Sequence, residues 1–163
     1  MDNLEALKER AARAAVEYVK GGHVVGLGTG STARYVVLAL GERVKAGLKI
    51  KGVPTSRQTA ELARQQGIPL IDQDNAWIID VAIDGADQVD PGFNLIKGGG
   101  GALLKEKIVA ASAKQFIVLV DHTKRVSVLG GSFPLPIEVI PFGWAPWSPA
   151  LISPAGRERL GME

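Results

Sequence analysis

VVGLGTGSTARY, residues 24–35, is the stretch on which the reading of this chain turns. An apolar run from His23 to Leu27 stops at a glycine-rich turn. Beyond it Ala33, Val36, Val37, Leu40 and Val44 recur at helical spacing. That is a strand, a turn and a helix in immediate succession. The turn holds Gly28 and Gly30, which let a backbone approach closely, and the hydroxyls of Thr29, Ser31 and Thr32.

The same alternation extends in both directions. Residues 2–20 place Leu4, Leu7, Ala11, Ala14, Ala15 and Tyr18 on one helical face, closed by Gly21-Gly22. Leu48 to Val53 reads as a second strand, and Thr55 with Gln58 as a capping box for a helix over 56–66. Ile68–Ile71 and Ile78–Ile83 read as strands, and Phe93–Ile96 as a short extended piece. A helix is predicted from Ala102 to about Lys114, then a strand over Phe116–Val120. Alternating strands and helices predict an α/β fold: a Rossmann-like, mostly parallel sheet with helices on both faces. Ligands of such sheets sit beyond the carboxyl ends of the strands. Gly28–Thr32, Asp84–Asp87 and Asp121–Lys124 all fall there, and Lys97–Gly101 opens a helix on the same rim.

Neither common nucleotide signature fits the first turn. A dinucleotide fingerprint would need glycine where Ser31 stands, and an acid where the second strand runs into Pro54-Thr55-Ser56. A phosphate loop of the Gly-Lys-Ser/Thr kind lacks its lysine, because Gly30 is followed by Ser31. A single phosphate, held by helix N-terminal amides and the two hydroxyls, remains open. So does a plain turn with Ser31 as N-cap.

Asp84 and Asp87 read either as interacting carboxylates with separated pKa values or as a solvated turn; a magnesium site has no further ligand at suitable spacing. Lys97 precedes four glycines, whose amides at Gly98, Gly99 and Gly100 are suited to an anion nest. Glu106 shares a small-residue strip with Ala102, Ala110 and Ala113, which would half-bury it as a base. Its neighbours Lys105 and Lys107 favour the plainer reading of an exposed glutamate. Lys124 reads as a solvated loop lysine, His23 and His122 as structural, and Trp77, Trp144 and Trp147 define no stacking platform.

The bulk composition narrows the classes. The 163 residues suit one domain, or one with a partial second. With a net charge of +2 and no arginine cluster interleaved with aromatics, nucleic-acid binding has no support. The absence of cysteine removes disulfides and thiolate chemistry and suits a reducing cytoplasm. The charged N-terminus is not a signal peptide, and no apolar run is long enough to span a bilayer.

Taken together, the segments G-L-G-T-G-S-T (26–32), D-G-A-D (84–87), I-K-G-G-G-G-A-L-L-K-E-K-I (96–108), D-H-T-K (121–124) and F-P-L-P-I-E-V-I-P (133–141) give the chain its resemblance. In that order it resembles the ribose-5-phosphate isomerases of the A type. The resemblance implies a cofactor-free, metal-free aldose–ketose isomerase interconverting ribose 5-phosphate and ribulose 5-phosphate. It implies Glu106 as the proton-shuttling base, Asp84 and Asp87 on sugar hydroxyls and ring opening, and Lys97 stabilising the charged intermediate. Substrate would be bound by Thr29, Gly30, Ser31 and Thr32, by the acidic loop including Gly85 and Ala86, by Lys97 with Gly98–Gly100, and by Lys124. A homo-oligomer, a dimer by preference, is implied as well. The expected organisation is a catalytic domain over 1–130, the start of a smaller second α/β region over 131–142, and a divergent irregular tail over 143–163. On that expectation the second region is truncated or missing, as in a truncated or frame-shifted product. The alternatives are a sugar-phosphate sensor domain, or an inactive fragment of the isomerase.

Overall fold

The computed structural model describes residues 4–71, 78–138 and 142. Helix α1 (Leu4–Val16) leads to β1 (Val24–Leu27), α2 (Ser31–Lys45), β2 (Lys51–Pro54), α3 (Arg57–Gln65) and β3 (Ile79–Gly85). A small hairpin, β4 (Gln88–Val89) with β5 (Leu95–Ile96), precedes α4 (Leu103–Ala111), β6 (Ala113–Leu119) and a 3₁₀ turn at His122–Lys124. The main sheet has the order β2-β1-β3-β6, and every pairing in it is parallel. Beyond β2 the predicted strand 68–71 reduces to a single parallel bridge, Gly52 to Leu70.

The strands alternate between two cores, as side chains of opposite parity must. Val25, Leu27, Val81 and Ile83 face α1 and α2, with Ala12, Val16, Val36, Val37 and Leu40 buried against them. On the other face Ala82 and Val53 meet Val109 of α4, and Ile79, the first residue of β3, joins that cluster although it shares the parity of Val81 and Ile83. Helices therefore cover both faces, as the sequence predicts. The second face is closed by closer approach: a Cβ on Gly26 would lie 2.5 Å from Val109 Cγ1 and 2.8 Å from Ala82 Cβ. Glycine at that position lets α4 settle directly on the sheet.

Several boundaries differ from the sequence reading. Ser56, not Thr55, caps α3, its hydroxyl accepting from Thr59 N at 3.1 Å. Gly30, with φ +107°, stands at the cap of α2, so Ser31 is the first helical residue and no side chain caps that helix. Helix α4 stops at Ala111, and β6 begins at Ala113, three residues before the predicted strand. Pairing of Ala113 with Ile79 extends the ladder backward, which local propensity cannot show. Residues 131–138 form no helix or strand, the remainder of the expected strand 137–140 and the tail 143–163 lying outside the described residues. No helix among the described residues is long and apolar enough to cross a membrane.

Candidate active site

Strand order reverses direction between β1 and β3: the chain goes from β1 to β2 on one side and to β3 on the other. Such a switch point opens a crevice at the carboxyl ends of the two strands. Gly28 follows β1 there, and Asp84-Gly85 end β3. The two meet without spare room, since a Cβ on Gly28 would fall 2.2 Å from Asp84 Oδ1 and 2.7 Å from Asp84 Cα. Gly28→Ala is therefore expected to push Asp84 aside and to destabilise the fold by about 1–3 kcal/mol through overpacking. The denaturation midpoint in urea checks it.

Asp84 is 4% exposed. Its Oδ1 accepts from Thr29 N at 3.1 Å and from Gly85 N at 2.7 Å, and its Oδ2 lies 3.1 Å from Lys97 Nζ. Lys97 is brought there by the hairpin: β5 pairs antiparallel with β4, which turns the chain back over the end of β3. The Lys97 ammonium also donates to Gly85 O, and it lies 3.4 Å from Glu106 Oε2. One cation is thus shared by two carboxylates and a carbonyl.

Glu106 is 7% exposed, which corrects the reading of it as a solvated residue between two lysines. It stands on the same face of α4 as Val109, one turn nearer the helix N-terminus. Where Val109 is pressed against Gly26, Glu106 is carried under as well. Its Oε2 is buried without a hydrogen-bond donor, Lys97 meeting it only at ion-pair distance. Burial first, and then the Asp84 charge, push the Glu106 carboxyl above the ordinary glutamate range against the pull of Lys97. Burial also pushes Asp84 up, opposed by Lys97 and by its two amide donors.

Asp87 plays a different local part. Its Oδ2 accepts from Gly99 N at 2.9 Å, so one amide of the expected anion nest is already engaged within the chain. Gly98 at φ +102° and Gly101 at φ +75° form the loop that makes this possible. The loop is held from outside too. Gln88, 2% exposed, accepts from Gly130 N at 2.8 Å and donates to Ser132 Oγ at 2.8 Å. That strap brings Phe133 so close to Gly99 that a Cβ there would meet its ring at 2.6 Å.

These groups border one cleft of about 260 Å³. Thr29, Gly30, Ser31 and Thr32 line one end, Gly85, Ala86 and Asp87 the floor, and Lys97, Gly98, Gly99, Gly100 and Glu106 another wall. Lys124 closes the rim with Asp121 and Thr123, and Asp84 sits just behind this lining. The sequence residues therefore converge on a single crevice. Two were missed. Lys8 and Leu4 of α1 also line it, with Lys8 Nζ held 2.8 Å from Glu5 Oε1. The amphipathic pattern of α1 gave Lys8 no mark that set it apart from its other charges. Among the described residues no set of three acidic or imidazole side chains is arranged to hold a metal ion.

A parallel α/β sheet with a glycine turn and a buried carboxylate at its switch point defines the class: a Rossmann-like domain with a polar small-molecule cleft. Comparison with known proteins makes it specific. Residues 51–160 match the family model for ribose 5-phosphate isomerase A (phosphoriboisomerase A), and the chain belongs to that family. The match continues through most of the stretch 143–163 that the sequence motifs leave unassigned. Ribose-5-phosphate isomerase A of Nitrobacter hamburgensis is 59% identical over 142 residues, covering 87% of this chain and 61% of that protein. The Thermosynechococcus vestitus protein of the same name is 50% identical over 163 residues, covering 99% and 69%. The first of these relatives is thus spanned over about three fifths of its length. Among solved structures, ribose 5-phosphate isomerase from Plasmodium falciparum superposes with a TM-score of 0.88 at 38% identity, over 98% of this chain and 73% of that one. A D-ribose-5-phosphate isomerase in complex with phospho-erythronic acid gives 0.87 at 48% identity, over 91% and 66%.

Proposed function

We propose that this chain carries the active site of an aldose–ketose isomerase acting on ribose 5-phosphate and ribulose 5-phosphate. The observation that carries the reading is Glu106: a buried carboxylate oxygen with no hydrogen-bond donor, facing a cleft and shadowed by one ammonium. Moving a proton between adjacent carbons passes through an enediolate. It needs one base that reaches both carbons and a donor aimed at the oxygens that gain charge.

Glu106 takes the proton from C2 of the open-chain aldose and returns it to C1, while the proton of the C2 hydroxyl passes to the C1 oxygen. Lys97 stabilises the enediolate oxygens. Asp84, tied to Lys97, keeps that ammonium in place and with Asp87 handles the sugar hydroxyls during ring opening. Ser31 and Thr32, at the uncapped start of α2, hold the phosphate together with Lys124 and Lys8, so binding energy at the far end orients the reacting end. A related structure holds phospho-erythronic acid, a phosphorylated sugar acid, and that chemical class suits this cleft. No step calls for a metal or an organic cofactor. A cytoplasmic location and a homo-oligomer belong to the same proposal.

The test is turnover of ribose 5-phosphate by the purified chain, run beside size-exclusion chromatography. Absence of turnover, with ligand binding retained, would favour the sensor-domain reading. The pH dependence has a defined sign. The base works only when ionised, so kcat should rise through a range above that of an ordinary glutamate. Stability should run the other way. A carboxyl whose folded pKa is raised binds its proton more tightly when folded, so stability is full below the unfolded value and is lost as pH climbs through the folded one. The melting-temperature difference between wild type and Glu106→Gln, which isolates this group, should therefore fall across the pH series in which wild-type kcat rises.

A further inference from the structure

The glycine turn is held from beneath by hydroxyl groups that the isomerase reading leaves unused. Thr55, at 1% exposure just past the end of β2, has its Oγ1 3.1 Å from Leu27 O, to which it can donate. The same Oγ1 lies 2.7 Å from Thr29 Oγ1, a hydroxyl pair in which either side can be the donor. Thr59 likewise donates to Gly28 O at 3.0 Å and accepts from Ser56 Oγ at 2.9 Å. Thr59 Oγ1 also lies 3.4 Å from Thr29 Oγ1, a longer contact than that to Thr55.

The consequence falls on Thr29. Its hydroxyl is bonded inward to Thr55, and its amide donates to Asp84 Oδ1 at 3.1 Å. Both polar groups of Thr29 are thus engaged within the chain. Although Thr29 borders the cleft, its hydrogen bonds join Thr55 to Asp84. We propose that Thr55 is a positioning residue for this site: by its hydrogen bond with the Thr29 hydroxyl it fixes the turn and aims the Thr29 amide at Asp84. The effect on turnover rests on the isomerase reading; the effect on Asp84 does not.

The experiment compares Thr55→Val, which keeps the shape and loses the hydroxyl, with Thr55→Ser, which keeps the hydroxyl. Carboxyl ¹³C NMR reads the titration of Asp84 directly. In Thr55→Val the Asp84 midpoint should move up, because its ionised form loses a well-aimed donor; in Thr55→Ser it should match the wild type. In turnover, kcat should fall about tenfold in the valine variant, the scale of one lost hydrogen bond, with KM changed less. An unmoved Asp84 midpoint in folded Thr55→Val overturns the proposal. Should that variant fail to melt cooperatively, Thr29→Val removes the same bond from its other side and must give the same upward movement, or the proposal falls. If the wild-type chain shows no turnover, the isomerase reading fails while the Asp84 titration still decides this one.

Discussion

Glu106→Gln is expected to lower kcat for ribose 5-phosphate by about 10²–10⁴-fold, the range of a positioned general base. KM should change little, because the amide occupies the same volume and the phosphate is proposed to bind at Ser31 and Thr32, not at Glu106. The variant should melt no lower than the wild type near neutral pH. Burial and the neighbouring Asp84 carboxylate penalise the ionised form of Glu106 more than Lys97 favours it. An uncharged isostere removes that penalty. Loss of activity with stability kept or gained would mark a side chain whose burial serves chemistry and costs the fold. Full activity in the variant would reject Glu106 as the base, and a lower melting temperature would show that its ion pair with Lys97 outweighs its burial.

Removal of the cation should do more damage. Lys97 Nζ stands 3.1 Å from Asp84 Oδ2 and 3.4 Å from Glu106 Oε2, and Lys97 is only 14% exposed. Lys97→Met leaves two buried carboxylates facing one another with no positive charge between them. Stability at neutral pH should fall by about 3–5 kcal/mol, the cost of breaking a buried pair by taking one partner. Much of it should return on acidification, since protonating either carboxyl removes the repulsion. Turnover should fall by about 10²–10³-fold as well, because the donor proposed for the developing oxyanion is gone. Urea denaturation at two pH values, with kcat measured on the folded variant, separates the two effects. A loss of stability that stays constant with pH would contradict the electrostatic account.

The glycine requirement at residue 28 links these effects to the fold. Asp84 can accept from Thr29 N only because β1 ends without a side chain there. Gly26, two residues earlier, does the same for α4. The stretch 24–35 thus sets two close approaches, one to Asp84 and one to Val109 of α4. Both were readable as glycine positions. What each glycine meets was not, because Asp84 and Val109 lie far along the chain.

Alternation of apolar runs with helical spacing was enough to predict a parallel sheet clothed on both faces, and the motif order was enough to indicate the family. These are properties of neighbouring residues, and strand parity and helical period act over a few positions. Tertiary packing alone decided that Glu106 is buried, that Lys97 reaches both carboxylates, that Lys8 borders the cleft and that the Thr29 hydroxyl turns inward. Each depends on which helix crosses which strand and at what separation, a matter of long-range contact that no local period encodes.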